Sequence, residues 1–192
     1  KMHSDVCVTS SNALKIIKSL PQKNIYFIPD ENLGRYIAGK VPEKNFILGE
    51  GFCHVHTGIT KENIVKATLL HPSAKVLAHP ECAADVLEIA DYVGSTSGII
   101  EYAAASENEK FIICTEMGIL YELKKNCPNK IFYPAGQRQF CPNMKLTKIE
   151  NVLSALKNMD NEIILDEKIL NNCNKVLSKM LELSKGYELL NV

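Results

Sequence analysis

Two short stretches of this chain carry most of its reactive side chains. Gly51-Phe52-Cys53-His54-Val55-His56 sets three potential metal ligands within four residues, and His79-Pro80-Glu81-Cys82 sets an imidazole and a carboxyl two residues apart. The second stretch follows the apolar run Lys75-Val76-Leu77-Ala78 directly, where parallel-sheet proteins place their working residues. A histidine and a carboxylate there could divide proton-transfer work, since burial and neighbouring charge tune both. The plain alternative is a histidine satisfied by a backbone carbonyl. Cys53-x-x-His56 and His79-x-x-Cys82 also offer the ligand types of tetrahedral zinc, as in a zinc-binding α/β hydrolase. That pairing sits on strand-to-helix loops rather than tight knuckles, and it leaves Cys141-Pro142-Asn143-Met144 unexplained. A cysteine followed by proline is a common setting for an iron–sulfur ligand.

A third kind of chemistry is anion binding. Thr9-Ser10-Ser11-Asn12 and Ser95-Thr96-Ser97-Gly98 each follow a predicted strand and open a predicted helix. Backbone N–H groups, hydroxyl donors and the positive end of the helix dipole would converge on a phosphate or carboxylate there. Simple N-capping is the alternative.

The elements that must hold these side chains alternate in type. Short β-rich runs at Val6–Val8, Ile25–Ile28, Phe46–Leu48, Lys75–Ala78, Tyr92–Val93, Phe111–Cys114 and Ile131–Tyr133 are separated by segments with helix-start chemistry. Those starts are Thr60 with Asn63, Ser95 to Ser97, and Thr147 with Glu150. The alternation predicts an α/β fold: αβα layers with short parallel sheets. The spacing predicts a last long helix from Asp166 as N-cap to Gly186 just past its end. Its stripe of Ile169, Leu170, Cys173, Val176, Leu177, Met180 and Leu181 is expected to pack in a core.

Composition narrows the partner. Lysine plus arginine equals aspartate plus glutamate at 22 each, so no long-range field favours nucleic acid or a membrane surface, and a small molecule is expected. No apolar run approaches a membrane span and the first residues carry no signal-peptide segment, which makes the cytoplasm the expected location. Seven scattered cysteines point to reduced thiols or metal ligands rather than a disulfide framework. Cys7, Cys114 and Cys173 lie inside apolar runs and are expected to be core.

The chain also repeats itself. Asp5 to Leu14 lies over Asp91 to Ile100, and Tyr26 to Asp30 lies over Ile112 to Glu116, each pair 86 residues apart. The third runs, Phe46–Leu48 and Ile131–Tyr133, lead into loops ending in Cys53 and Cys141, which makes these two cysteines repeat-equivalent. The second copy opens near Thr60 with a helix and strand that have no counterpart ahead of Lys1. The expected organisation is a truncated αβα unit at 1–59, a second unit at 60–141 and a helical segment at 142–192: two pseudo-symmetric repeats of an expected three. On this reading the sequence is a piece of a longer or split protein.

At this point the blocks resemble a known family. Asp5-Val6-Cys7-Val8-Thr9-Ser10-Ser11-Asn12-Ala13, Pro29 to Tyr36, Gly51 to His56, His79 to Cys82, Gly94-Ser95-Thr96-Ser97-Gly98-Ile99-Ile100 and Cys141 to Met144 are similar, in order, to those of the quinolinate synthases. The resemblance implies three similar αβα units around a pseudo-threefold axis, each giving one cysteine to a [4Fe-4S] cluster. It implies condensation of iminoaspartate with dihydroxyacetone phosphate to quinolinate, with loss of phosphate and water. Cys53 and Cys141 would be cluster ligands, with the third cysteine upstream of residue 1, and the open iron would act as a Lewis acid. His79 and Glu81 would touch substrate and move protons. Ser10, Ser95 and Thr96 would hold phosphate or carboxylate groups, His54 would line the pocket, and Cys7 and Cys82 would not be ligands. An aspartate-oxidising enzyme is the implied partner. The family's first unit also carries an active-site tyrosine and histidine and a Tyr-x-Asn stretch that are not in this chain, so these residues alone are not expected to assemble a competent cluster. A non-catalytic anion-binding remnant is the competing outcome; intact His79, Glu81, Cys53 and Cys141 argue for the enzyme.

Overall fold

Three helix-to-strand joints share one sequence feature, an X-Pro pair. Val41-Pro42, His71-Pro72 and Cys127-Pro128 each follow a helix, and the residue before proline is pushed out of the helical region. Val41, His71 and Cys127 accordingly close their helices with nearly the same backbone: φ and ψ are −138° and 64°, −133° and 66°, and −134° and 65°. Each joint then turns through one further hydrogen bond, Lys44 N–H to Val41 O, Ala74 N–H to His71 O and Lys130 N–H to Cys127 O. A parallel strand follows every time.

The computed structural model describes residues 1–185. They form two units, residues 10–140 and Lys1–Thr9 with the residues from Cys141 on. In the larger unit the element order is α1 (Ala13–Ser19), β1 (Asn24–Phe27), α2 (Glu31–Lys40), β2 (Asn45–Leu48), α3 (His54–Thr57) and α4 (Lys61–Leu70), then β3 (Lys75–Ala78), α5 (Ala84–Leu87), β4 (Tyr92–Val93), α6 (Thr96–Ala105), β5 (Lys110–Cys114), α7 (Ile119–Asn126) and β6 (Ile131–Pro134). All strand pairing is parallel: β1 beside β2, and a second sheet in the order β4-β3-β5-β6. This is the α/β layering expected from the alternating pattern.

The central strands are buried on both faces, as parallel sheets require. Because successive side chains point to opposite faces, Val76, Ala78, Ile112 and Cys114 enter one core with Ile64, Ala67, Val86 and Cys82. Leu77, Phe111 and Ile113 enter the other, with Ile99, Ala103, Leu123 and Phe132. Each large apolar side chain so buried contributes ~1.5–3 kcal/mol relative to exposure. The caps also follow the sequence. Thr60 and Asn63 form a reciprocal capping box, and Ser95 accepts the Gly98 N–H.

The other unit contains a single 3-10 turn, Met144–Leu146, then α8 (Ile149–Asn158) and α9 (Glu167–Lys185). Asp166 caps α9 as expected, its carboxylate accepting the N–H groups of Lys168 and Ile169. Gly186, the expected stop, lies outside the described residues.

Several expectations are corrected. Val6–Val8 form no ladder among the described residues; a β-rich run becomes a strand only where a partner strand lies alongside. The cap of α8 is Lys148, whose N–H donates to Asn151 Oδ1, one residue after the expected Thr147. Along α9 only Val176 is buried, while Leu170 and Leu181 are exposed. An amphipathic stripe records an apolar face without saying what covers it. Cys114 is fully buried, but Cys7 and Cys173 are half-buried.

Candidate active and metal-binding site

The functional side chains of the larger unit collect where its strands end. β3 ends in Ala78, and the His79 N–H continues the ladder by donating to Cys114 O at 3.1 Å. The chain then turns sharply, the Cys82 N–H returning to His79 O. Across the gap the loop after β2 is held by Asp30, which closes β1 and caps α2. One carboxylate oxygen accepts the Leu33 N–H and the other the Cys53 N–H, both at 2.8 Å. Burial raises the Asp30 pKa against the lowering effect of these two backbone donors.

His56 joins the two loops. Its ring stacks on His79, centroids 4.5 Å apart and planes at 18°. Nε2 lies 2.9 Å from the Thr115 hydroxyl, at the end of β5. Nδ1 lies 3.0 Å from Glu81 Oε2. Cys53 Sγ, the His56 ring nitrogen and a Glu81 oxygen all lie within 4.8 Å of one another. His56 is only 7% exposed.

Electrostatics separates two protonation states. The His56 imidazole holds the Glu81 carboxyl below its usual range, more than offsetting burial, so Glu81 is a carboxylate near neutrality. Burial, reinforced by His56 and opposed by Glu81, drives His79 down to about 4, so its ring is neutral. His79 Nδ1 accepts the Glu81 N–H at 3.3 Å, which leaves the proton on Nε2. A base and a neutral N–H donor therefore stand side by side, the arrangement acid–base chemistry needs.

The thiols divide as well. Cys82 is fully buried, donates to Cys114 O at 3.3 Å and is pushed up to about 12 by burial. Burial also drives Cys114 up. Both thiols are sunk in the core of the larger sheet, Cys82 committed to the Cys114 carbonyl. The four-residue zinc set of Cys53, His56, His79 and Cys82 is thus not what the fold assembles; Cys53 and His56 meet Glu81 instead. Cys53 is half-buried and in no disulfide, which suits a thiolate ligand of a metal or cluster.

The remaining expected residues lie at helix starts. Ser95 and Thr96 open α6 over a glycine floor, where a Cβ on Gly94 or Gly98 would come within 2.5 or 2.6 Å of the Tyr92 hydroxyl. Ser10 sits in the turn before α1, whose cap position is Asn12. His54 opens α3 with its side chain exposed. Cys141, half-buried, belongs to the other unit. It follows Gln139 by two residues, and Gln139 is buried and locked: its amide donates to Ile113 O and Thr115 O and accepts the Gly136 N–H. The Met117 N–H donates to Gln139 O at 2.8 Å, as the Glu31 N–H does to Gly51 O at 2.8 Å. Gly51 stands two residues before Cys53, so the lead-in to each repeat-equivalent cysteine is pinned at the same backbone place. Sequence reasoning missed Thr115 and gave His56 a role only in the zinc set; the signal for Thr115 was its place at the end of a buried strand.

The model of the quinolinate synthetase A protein family matches residues 1–182. The chain belongs to that family. It is 50% identical over 186 residues to the quinolinate synthase of Clostridioides difficile, covering 97% of this chain and 61% of that protein. A quinolinate synthase from Caldicellulosiruptor saccharolyticus is 50% identical over 184 residues, and one from Thermodesulfovibrio yellowstonii is 45% identical over 183. The chain spans about three fifths of the length of these curated relatives, 60–61%. The match over residues 1–182 takes in every residue of this site. Among the described residues no helix is long and apolar enough to cross a membrane.

Proposed function

We propose that this chain provides the larger part of a quinolinate synthase active site, acting in a longer or multi-chain protein of the cytoplasm. The reaction is condensation of iminoaspartate with dihydroxyacetone phosphate to give quinolinate, phosphate and two waters. The observation that carries the reading is the convergence of Cys53, His56, His79 and Glu81, with complementary protonation of the last two, inside residues that match the family throughout. Making an aromatic ring from an imine and a ketose phosphate requires repeated proton removal and loss of hydroxyl groups. Glu81 as carboxylate takes the proton and His79, through Nε2–H, donates to a departing or polarised oxygen. The start of α6 with Ser95 and Thr96, together with Ser10, holds phosphate and carboxylate groups, and His54 lines the entrance. His56 orients Glu81 from below.

Cys53 and Cys141 are proposed as cluster ligands, with a third cysteine upstream of residue 1. The half-buried, unpaired state of Cys53 and the matched anchoring of both lead-in loops support that set. A bound [4Fe-4S] cluster with one open iron would supply Lewis acidity toward a substrate oxygen or nitrogen. The proposed repeat units remain 1–59 and 60–141, with 142–192 as a helical addition. Iminoaspartate hydrolyses in water, which fits supply by a partner enzyme that oxidises aspartate.

The test is a chimera in which this chain replaces the matching three fifths of the Clostridioides difficile enzyme. Anaerobically reconstituted, it should form quinolinate from the two substrates, and Cys53→Ser or Cys141→Ser should abolish both the brown chromophore and turnover. A folded, brown chimera that makes no quinolinate would defeat the reading. This chain by itself is expected not to sustain turnover.

A further inference from the structure

Asp30 is buried, and each of its carboxylate oxygens accepts a backbone N–H at 2.8 Å. The bond from Leu33 is local and caps α2. The bond from Cys53 reaches 23 residues along the chain. Serine or asparagine would cap the helix about as well, but only a carboxylate presents two equivalent acceptor oxygens in a fork. Aspartate at this place is therefore explained by the second bond, not by the first. The other copy of the repeat also keeps a buried carboxylate here, 86 residues on: Glu116, whose Oε2 accepts the Gly118 N–H at 2.7 Å.

The chain around that bond is held closely. The Gly49 N–H donates to Phe27 O at 2.9 Å and the Glu31 N–H to Gly51 O at 2.8 Å, and Asp30 and Gly51 form a parallel bridge. A Cβ on Gly51 would run into the Pro29 carbonyl, so the loop passes directly against the end of β1. Cys53 then stands at the cap position of α3 in extended backbone, φ −83° and ψ 114°, with no capping bond from its own side chain. Its peptide plane is fixed from outside, by a carboxylate seated on the first turn of α2. That plane sets the direction in which Cβ sends Sγ, toward the His56 ring and Glu81.

We propose that Asp30 is a positioning residue of the site: it fixes the direction of the Cys53 thiol and keeps the Cys53 N–H from donating to the sulfurs of a bound cluster. Hydrogen bonds to the sulfurs and nearby net charge tune the potential of an iron–sulfur centre. An amide committed to a carboxylate withholds one such donor and adds a negative charge, and both disfavour uptake of an electron. The part concerning a cluster rests on the quinolinate synthase reading; the hold on the thiol rests on geometry in residues 27–56.

Asp30→Asn separates the two bonds. Asparagine keeps one acceptor oxygen, which α2 takes as its N-cap, and turns an amide NH₂ toward the Cys53 N–H. In the reduced chain, hydrogen exchange at the Cys53 amide should quicken roughly tenfold while Leu33 keeps its protection, and alkylation of Cys53 by iodoacetamide, read by peptide mass, should speed up. Asp30→Ala should expose both amides, and Lys44→Met, a change remote from the site, should leave the ratio of the two exchange rates as it is. If Asp30→Asn does not fold, Asp30→Ser, which caps through a single oxygen, carries the same comparison. In the reconstituted chimera, Asp30→Asn should still turn brown, release iron to a chelator roughly tenfold more readily, and show a higher reduction potential with an altered paramagnetic resonance of the reduced cluster. Unchanged protection at Cys53, or a cluster with the potential and spectrum of the parent, overturns the proposal. A parent chimera that takes up no cluster counts against the enzyme reading instead, and the exchange and alkylation rates then decide on Asp30 by themselves.

Discussion

Lys44 and Lys130 hold the same post in the two copies of the repeat. Lys44 Nζ donates to Leu20 O and Gln22 O, just past α1, and Lys130 Nζ donates to Ala103 O and Ser106 O at the end of α6. Both lysines follow an X-Pro joint, and both place a cation where a helix leaves its last carbonyls without partners. The duplication is therefore physical, reaching down to single hydrogen bonds.

Removing one of these lysines should cost stability. Lys130→Met, which keeps the stem and deletes the charge, should lower unfolding free energy by about 1–2 kcal/mol in urea titration. Lys44→Met should cost less, because one of its two bonds is exposed to water. Equal, negligible effects would show the two contacts to be ornamental.

The buried histidine predicts a pH dependence. The His79 pKa falls from 6.5 to about 4 on folding, so between these values the unfolded chain binds the extra proton and stability declines as pH drops. Glu81, depressed in the fold, adds a loss in the same direction at lower pH still. The melting temperature of the metal-free chain should fall from pH 6.5 toward 4, a change on the order of 1–3 kcal/mol. His79→Gln should flatten the upper part of that curve; an unaltered profile would remove His79 as its source.

Gly98 tests the floor under Ser95 and Thr96. A Cβ there would stand 2.6 Å from the Tyr92 hydroxyl, and that ring is held by stacking on Tyr102 at 4.5 Å. Gly98→Ala should destabilise by about 1 kcal/mol despite alanine's better helix propensity. In a Tyr92→Phe background the same change should become neutral or stabilising. Thermal melts of the four proteins close the cycle.

Gln139 should be costly to replace. Gln139→Leu fills the space but takes away the donor to Thr115 O and the acceptor of the Gly136 N–H, and leaves Ile113 O with the Ala135 N–H alone, a loss of about 2–4 kcal/mol. Hydrogen exchange should quicken at Gly136, whose amide it holds. Unchanged protection there would show that the loop is fixed by other means.

Much of this was legible in the sequence, for reasons that differ by residue. Every strand of the two sheets shows as an apolar run because parallel strands are covered on both faces, and Thr60, Ser95 and Asp166 announce their helices because a cap is a local bargain between neighbours. Val6–Val8 failed the same logic because pairing is not local. That His79 and Glu81 stand at a working end followed from the rule that parallel-sheet proteins place such residues just after their strands; that Cys53 meets Glu81 there is a fact of the fold. His56 was harder: its spacing from Cys53 suggested zinc with Cys82, but the depth at which Cys82 is sunk is invisible in a string of letters. Thr115 carried no motif at all, and its role exists only because a ring from another strand's loop reaches it.

The three X-Pro joints have an implication for how such a protein diversifies. A scaffold that bends the same way at Val41, His71 and Cys127 can be copied without redesign, so the copies are free to differ only in what they carry at their tips. Asp30 in one and Glu116 in the other, or Gly51 against Gln139, stand at matching places and hold their loops with different groups.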